Sequence, residues 1–169
     1  MLNIVLLEPE IPQNTGNIGR TCVAIGAALH LIEPMGFQVS DKWVRRAGLD
    51  YWGQLDVTVY DSWSLFLCKN NLTPGTSPIY MASTKARHIY SEVDYEEDCY
   101  IVFGKESAGI PEELLVENEE RTIRIPMLGE TRSLNLSNSV AVIAYEVMRQ
   151  RDFQSLKKAG ELHRLHWKE

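Results

Sequence analysis

Residues 2–7 read Leu2-Asn3-Ile4-Val5-Leu6-Leu7, an apolar run of strand length, and Pro9-Glu10-Ile11-Pro12-Gln13-Asn14-Thr15-Gly16-Asn17-Ile18-Gly19-Arg20-Thr21 follows it. The run predicts a buried strand, and helical spacing over 18–27 predicts a helix opened by the polar, glycine-containing turn. Backbone N–H groups at such a turn can bind a ligand or anion beside the carboxyl end of the strand. Taken alone, the segment is more typical of an ordinary turn, a helix cap and a solvated arginine.

The same alternation of apolar runs and helical spacing continues along the chain. Further strands are predicted at 28–32, 55–60, 79–82, 100–103 and 122–125. Further helices are predicted at 41–48, 61–70, 111–117 and 137–151. Asp41 and Asp61 are expected as N-caps, and Pro111 is expected in a first turn. Strands that alternate with helices predict an α/β fold with a largely parallel sheet flanked by helices.

Composition limits the function. The 169 residues carry 17 Lys and Arg against 23 Asp and Glu, a formal net charge of -6 at pH 7. A chain of this charge does not hold RNA or an anionic membrane without selectivity, so any RNA contact has to be local. Cys22, Cys68 and Cys99 lie far apart, which is typical of reduced thiols in a core. The first apolar run lacks the flanks of a signal peptide and the length of a membrane span, so we expect a cytoplasmic protein.

Common catalytic motifs are missing from the sequence. It contains no G-x-x-x-x-G-K-[ST], no G-x-G-x-x-G after a strand and no G-x-S-x-G. P-loop phosphoryl transfer, the dinucleotide fingerprint and the nucleophile elbow are therefore disfavoured. His163 and His166 lack a third ligand nearby, so no metal is expected.

Two further polar stretches follow predicted strands. In Ile101-Val102-Phe103-Gly104-Lys105-Glu106-Ser107-Ala108-Gly109-Ile110-Pro111, Gly104 lets a ligand approach the backbone and Glu106 offers an acceptor. In residues 124–141, Ser and Asn side chains precede the most apolar helix of the chain. Because parallel strands end at one edge of a sheet, the three polar stretches are expected to form one pocket there.

These stretches also carry a family resemblance. N-T-G-N-I-G-R at 14–20, F-G-K-E-S-A-G-I-P at 103–111 and I-P-M-(x)5-S-L-N-L-S-N-S-V-A at 125–141 resemble the three ordered motifs of the SPOUT superfamily of RNA methyltransferases. The resemblance covers residues 1 to about 152 and implies a C-terminal trefoil knot. Residues 1–169 would form a single SPOUT domain, with 153–169 as a flexible or helical extension. The sequences at 31–37 and 45–51 sharpen the resemblance to members that methylate the ribose of tRNA wobble nucleotide 34, a cytidine or uridine.

The resemblance implies a cofactor and a set of site residues. The cofactor is S-adenosyl-L-methionine, which leaves as S-adenosyl-L-homocysteine, and no metal is required. The cofactor-binding residues would be Met81, Ala82, Gly104, Glu106, Ile125, Ser133 and Leu134. The catalytic set would be Arg20, with Asn14 and Asn135 orienting the ribose. Since arginine stays protonated, positioning of a phosphate and stabilisation of the developing alkoxide suit Arg20 better than a role as base.

The partners are expected to be tRNA and a second copy of the chain. Arg45, Arg46 and Lys85 are candidate phosphate contacts, although each could equally belong to a solvated face. The apolar stripe of the helix from Ser137 to Arg151 favours a homodimer, although a monomer core would use such residues too. Two other functions remain open. One is ribose 2′-O-methylation of ribosomal RNA, and the other is a non-catalytic α/β protein that binds RNA or a nucleotide.

Overall fold

The computed structural model describes residues 1–38, 52–129 and 133–167. Its strands, in chain order, are β1 (Leu2–Leu7), β2 (Ala28–Ile32), β3 (Val57–Tyr60), β4 (Ile79–Ala82), β5 (His88–Ile89), β6 (Cys99–Phe103) and β7 (Thr122–Arg124). In the described residues they form one sheet in the order β3-β2-β1-β6-β4-β7-β5, and every pairing is parallel. The predicted α/β architecture with a parallel sheet is confirmed.

Helices cover both faces of this sheet. They are α1 (Pro12–Ile25), α2 (Trp63–Lys69), α3 (Glu112–Glu117) and α4 (Leu136–Gln150). Helices α1 and α4 pack against each other on one face, where Leu6 and Ile101 join their apolar residues in one core. Helices α2 and α3 lie on the other face, where Val5 and Val102 join Phe66 in a second core. Successive strand residues point to opposite faces, which is why β1 and β6 contribute to both cores.

The strands were easier to predict than the helix starts. Helix α1 begins at Pro12 rather than at residue 18, so the first polar motif lies inside the helix and not in a turn before it. Proline suits this position because the first N–H of a helix has no intrahelical acceptor. Helix α2 is capped by Ser62, which accepts from the Leu65 N–H at 3.2 Å, and not by Asp61. The helix predicted at 41–48, with its cap Asp41, lies outside the described residues.

Two smaller features also differ from the predictions. The two-residue strand β5 has too little sequence for an apolar pattern and was missed. Cys22 and Cys99 are buried as expected, but Cys68 is exposed on α2, so the prediction that all three fill the core is wrong for Cys68. No helix within the described ranges is both long and apolar enough to cross a bilayer.

Helix α4 is held from both ends. Asn135 caps its start, and its apolar stripe of Val140, Ile143, Ala144, Val147 and Met148 is buried within the single chain. The stripe therefore gives no evidence for a dimer, since the core of one subunit already uses it.

After α4, residues 151–156 form turns rather than the predicted helical extension, and Phe153 and Leu156 pack against the core. The trefoil knot stays a prediction, because 130–132 lie outside the described residues.

Candidate functional site

A cavity of about 480 Å³ opens at the carboxyl ends of β4, β6 and β7. This edge is where open α/β sheets bind their ligands. The segments that follow those three strands supply its walls, together with the start of α1 and the start of α4. Apolar side chains from Ala82, Phe103, Ile123, Ile125 and Met127 lie beside polar groups from the three motifs. The predicted convergence of three polar stretches on one pocket is therefore what the structure shows.

Glu106 ties the loop after β6 to the start of α1. One carboxylate oxygen accepts from the Glu10 N–H at 2.8 Å. The other accepts from the Ile11 N–H at 3.3 Å and from Asn14 Nδ2 at 2.9 Å. N–H groups at a helix start have no intrahelical acceptor, so a carboxylate is a favourable partner there. Both oxygens of Glu106 are engaged in these contacts, which makes it a positioning group.

The two asparagines extend this network to α4. Asn135 Nδ2 donates to Asn14 Oδ1 at 3.0 Å, and Asn135 Oδ1 accepts from the Ser137 and Asn138 N–H groups at 2.9 and 3.4 Å. A carboxylate accepts only and a backbone N–H donates only, so the two ends of the chain of contacts fix the orientation of both amides. The contacts among Glu106, Asn14 and Asn135 thus join the three motifs, since each motif contributes one of these residues.

A second group of contacts joins the loop after β6 to the residues after β1. Here the donors lie after β6 and the acceptors lie after β1. The Ser107 N–H and hydroxyl donate to the Glu10 carboxylate at 2.9 and 2.8 Å, and these bonds hold the pKa of Glu10 below its ordinary value. Lys105 Nζ contacts Glu8 Oε2 at 2.8 Å, which raises the pKa of Lys105. The sequence-based interpretation missed Glu8 and Glu10. The available signal was that Glu8 and Glu10 follow one predicted strand, while Lys105 and Ser107, which can donate to carboxylates, follow another.

Gly104 has a different role from the one expected. It lines the cavity, but a Cβ on Gly104 would lie 2.0 Å from the carbonyl carbon of Gly109 and 2.3 Å from the Ile110 nitrogen. The space that glycine leaves is filled by the backbone of its own loop and not by a ligand. Gly109 has a φ of 71°, a left-handed conformation that favours glycine. The two glycines therefore set the shape of the loop that forms one cavity wall.

Most of the predicted site residues meet at the cavity, and some do not. Its lining includes Asn14, Ala82, Lys85, Gly104, Glu106, Ile125, Ser133, Leu134 and Asn135. Met81 is not brought there: its side chain is fully buried in the core on the opposite face of the sheet, because adjacent strand residues alternate. Arg20 lies in α1 about 9 Å along the helix axis from Asn14, with an exposed side chain outside the cavity lining. Arg45 and Arg46 lie outside the described residues.

Lys85, which is a candidate phosphate contact from the sequence, and Arg87 each have a carboxylate partner. Lys85 Nζ lies 2.6 Å from Glu112 Oε1, which lowers the pKa of that carboxyl, and Arg87 Nη1 lies 2.7 Å from Glu119 Oε1. Of these two pairs, the one made by Lys85 lies at the cavity. Among the described residues, no group of three or more His, Cys, Asp or Glu side chains is placed to hold a metal ion.

The cavity suits a molecule with an aromatic base and a polar tail. Its volume lies within the roughly 300–1,000 Å³ typical of pockets for small ligands. Ile125 and Met127 offer apolar surface for a purine ring, while backbone and hydroxyl groups at 83–84 and 107–109 offer hydrogen bonds. Ser83, Thr84 and Ser107 were not predicted from sequence as lining residues, because single hydroxyl residues after a strand are common in ordinary turns.

Comparisons with known proteins agree on the class of protein. Residues 1–145 match the model of the SpoU rRNA Methylase family. The tRNA (cytidine(34)-2'-O)-methyltransferase of Escherichia coli strain K12 is 47% identical over 151 residues, which cover 89% of this chain and 94% of that protein. A solved structure described as giving insights into the 2-OH methylation of C/U34 on tRNA matches with a TM-score of 0.84 and 44% identity, covering 91% of this chain and 98% of that chain.

The fold extends to more distant proteins. The SpoU methyltransferase AviRb from Streptomyces viridochromogenes, solved in complex with the cofactor AdoMet, matches with a TM-score of 0.78 at 24% identity. The match covers 90% of this chain and 61% of AviRb. At this identity the similarity shows a shared fold.

Proposed function

Because the chain belongs to the SpoU rRNA Methylase family, we propose that it methylates the 2′-hydroxyl of the ribose of wobble nucleotide 34, a cytidine or uridine, in tRNA. S-adenosyl-L-methionine is the methyl donor, and S-adenosyl-L-homocysteine is the second product. The E. coli relative at 47% identity is named for this activity. The observation that carries the proposal is the hydrogen-bonded network of Glu106, Asn14 and Asn135, which joins all three motifs beside the cavity.

The cofactor supplies a methyl group on a sulfonium, an activated electrophile that needs no metal. The residues of the chain have to bind it, hold the ribose in line and help its hydroxyl lose a proton. Ala82, Ile125 and Leu134 form the walls that we assign to the adenosine. Ser133 lines the same cavity and offers a hydroxyl to the polar part of the ligands. The loop at 104–109 closes the remaining side, and its shape depends on Gly104.

Asn14 and Asn135 are assigned to the ribose. Each amide nitrogen carries two N–H groups, and one of each is used in the described network. The second N–H of each amide is oriented by the same contacts and can donate to a ribose oxygen. Glu106 does not need to touch the substrate, since it acts through Asn14. This arrangement fixes the donors before the ribose arrives, which lowers the entropic cost of reaching the reactive geometry.

Arg20 is assigned to a phosphate of the tRNA rather than to the proton transfer. Its guanidinium stays protonated, and its side chain is exposed on α1, outside the cavity lining. A nucleotide whose ribose enters the cavity carries phosphates on both sides, and these extend beyond the cavity. A guanidinium fork can bind such a phosphate with two hydrogen bonds, which positions the ribose indirectly. Arg45 and Arg46 are retained as further candidate phosphate contacts on the basis of sequence.

A homodimer through α4 belongs to the same proposal. Two large apolar side chains on this helix remain exposed, Val142 at 37% and Tyr145 at 45%. These exposed side chains support an interface on α4, whereas the buried stripe gives no evidence for one. The whole chain, 1–169, is proposed to act as one SPOUT domain, with its last residues as an extension. Action on tRNA would take place in the cytoplasm.

The direct test is methyl transfer with purified protein. The chain is incubated with isotopically labelled cofactor and unmodified tRNA, and the position of the label is mapped by nuclease digestion and mass spectrometry. We expect label on the 2′-oxygen of nucleotide 34 in a few tRNAs, and loss of that modification in cells without the gene. A folded chain that binds the cofactor but labels no tRNA would contradict the proposal. Label on ribosomal RNA instead would favour the rRNA ribose methyltransferase, and an absence of transfer to either RNA would favour a binding protein.

A further inference from the structure

Lys85 and Glu112 form an exposed ion pair at the cavity. Lys85 lines the cavity, and its Nζ donates to Glu112 Oε1 at 2.6 Å. The side chains are 54% and 72% exposed. An ion pair with this exposure contributes little to folding stability, because water competes with both partners. Another anion can therefore replace the Glu112 carboxylate without disturbing the fold.

The backbone beneath Lys85 is fixed although its side chain is exposed. The Ser83 N–H donates to the Ile123 carbonyl at 2.9 Å, the Lys85 N–H donates to Ser83 Oγ at 3.2 Å, and the Ala86 N–H donates to the Ser83 carbonyl at 3.2 Å. Ala86 is buried under this turn. The turn therefore fixes the backbone from which Lys85 reaches the rim of the cavity, so a change of partner needs only a rotation of the lysine side chain.

The other lysine of the cavity is built differently. Lys105 pairs with Glu8 at 2.8 Å, and the two side chains are only 35% and 32% exposed. The Lys105 carbonyl also accepts from the Gly109 N–H at 2.8 Å, and the pair joins the two loops of the site. Replacing Glu8 by another anion would loosen that connection. Lys85 is thus the better candidate for an exchangeable contact.

We propose that Lys85 binds a phosphate next to the methylated ribose, and that Glu112 is the resting partner which this phosphate displaces. The inference rests on the proposed function. A ribose inside the cavity places its flanking phosphates at the rim, where Lys85 lies. The α-carboxylate of the cofactor is also an anion, but the pair lies on the exposed rim, which favours the larger ligand. Glu112 keeps the rim neutral in the free protein, so polyanions that do not seat a ribose gain little from Lys85.

Tests of this exchange compare Glu112→Gln, Lys85→Met, the double variant and a matched control. Glu119→Gln is the control, because it also removes one carboxylate from an exposed ion pair, the one with Arg87, which does not line the cavity. The dissociation constant for tRNA and that for the cofactor are measured separately, at several salt concentrations. We expect Glu112→Gln to bind tRNA about two- to fivefold more tightly. The slope of the logarithm of its tRNA affinity against the logarithm of salt concentration should become steeper by about 0.7. The reason is that Lys85 no longer gives up a carboxylate partner when it binds the phosphate.

The remaining variants define the mechanism. Lys85→Met should weaken tRNA binding, Glu112→Gln should have no effect in the Lys85→Met background, and Glu119→Gln should behave as the parent chain. Equal gains from Glu112→Gln and Glu119→Gln would overturn the inference in favour of a general charge effect. A gain that persists without Lys85 would overturn it as well, and so would an effect confined to the cofactor, which would assign Lys85 to the cofactor carboxylate. Failure of the parent chain to methylate tRNA would instead contradict the proposed function.

Discussion

One hydrogen-bonded polar network borders the cavity at the carboxyl edge of the sheet and another is buried in the core, and they differ in whether their groups face open space. The network at the cavity joins Glu106, Asn14 and Asn135. The other lies in the core beneath α2, where His30 contacts the Tyr60 hydroxyl at 3.0 Å and Asn3 Oδ1 at 3.1 Å. Both connect residues distant in sequence. The first borders a cavity of about 480 Å³, whereas His30 is surrounded by the rings of Tyr60, Phe66 and Tyr100.

The core network satisfies its own donors and acceptors. Asn3 Nδ2 donates to the Cys99 carbonyl, so Asn3 Oδ1 faces His30 and accepts from its Nε2–H. His30 Nδ1 then accepts from the Tyr60 hydroxyl, whose oxygen accepts from Asn70 Nδ2 at 3.2 Å. A neutral imidazole fits every contact, and burial lowers the pKa of His30. Polar groups that close on themselves stabilise a fold, whereas similar groups that border a cavity are available for a ligand.

The largest effect is expected for Arg20→Ala, which tests whether a residue outside the cavity lining contributes to methyl transfer. If Arg20 positions a phosphate, methyl transfer should fall roughly 100- to 1,000-fold, and cofactor affinity should be unchanged because Arg20 does not line the cavity. Single-turnover methylation and cofactor titration measure the two quantities. Arg20→Lys should recover part of the rate. Loss of cofactor binding together with activity would assign Arg20 a structural role.

Gly104→Val tests the loop that borders the cavity network. The added Cβ would meet the Gly109 carbonyl carbon at 2.0 Å, so the loop has to move. An overpacking cost of about 3 kcal/mol would weaken cofactor binding about 100-fold. Gly53→Val is the control, since a Cβ at Gly53 meets nothing within 4 Å. Unchanged cofactor affinity in Gly104→Val would place the cofactor elsewhere.

Asn14→Asp tests the network with almost no change in shape. An aspartate can only accept when ionised, so it would face the Glu106 carboxylate without a proton to donate. We expect methyl transfer to fall by about 10-fold or more, for a cost of roughly 1–3 kcal/mol. Asn17→Asp makes the same change at an exposed position of α1 and should be close to neutral. Equal effects of the two variants would show that charge on α1 matters and the network does not.

The smallest effect is expected at His30, and it should appear in stability alone. Since the folded-state pKa lies below the ordinary value of 6.5, the unfolded chain gains a proton first as the pH falls. The free energy of unfolding should therefore decrease below pH 6.5, by at most about 1.4 kcal/mol per pH unit. Denaturant titrations between pH 7.5 and 5 measure this, and His30→Gln should lack that part of the dependence. Equal pH dependence in the two proteins would mean that His30 takes up a proton as readily in the folded chain as in the unfolded chain, which would contradict its lowered pKa.

Local patterns in the sequence determined the elements and the edge of the sheet that carries the site. Among the described residues, six of the seven strands were predicted, because apolar runs such as residues 2–7 and 28–32 can be recognised from a few neighbouring residues. Motif spacing placed Asn14, Gly104 and Asn135 at one cavity, since parallel strands end at a common edge. The predicted start of α1 was wrong because the first turn of the helix is polar. The N–H of Glu10, just before the helix, donates to Glu106, which lies 96 residues away in the sequence.

Tertiary structure alone decided which side chains touch. Whether Ala82 or its neighbour Met81 faces the cavity depends on which face of β4 packs against α1 and α4, and the sequence pattern is apolar on both. The partners of Glu10, Lys85 and Asn14 come from segments whose proximity is set by the order of the strands. Periodicity encodes the shape of each element, but strand order arises from packing all of them together. That is the physical reason the sequence yields the pocket and only the fold yields its network.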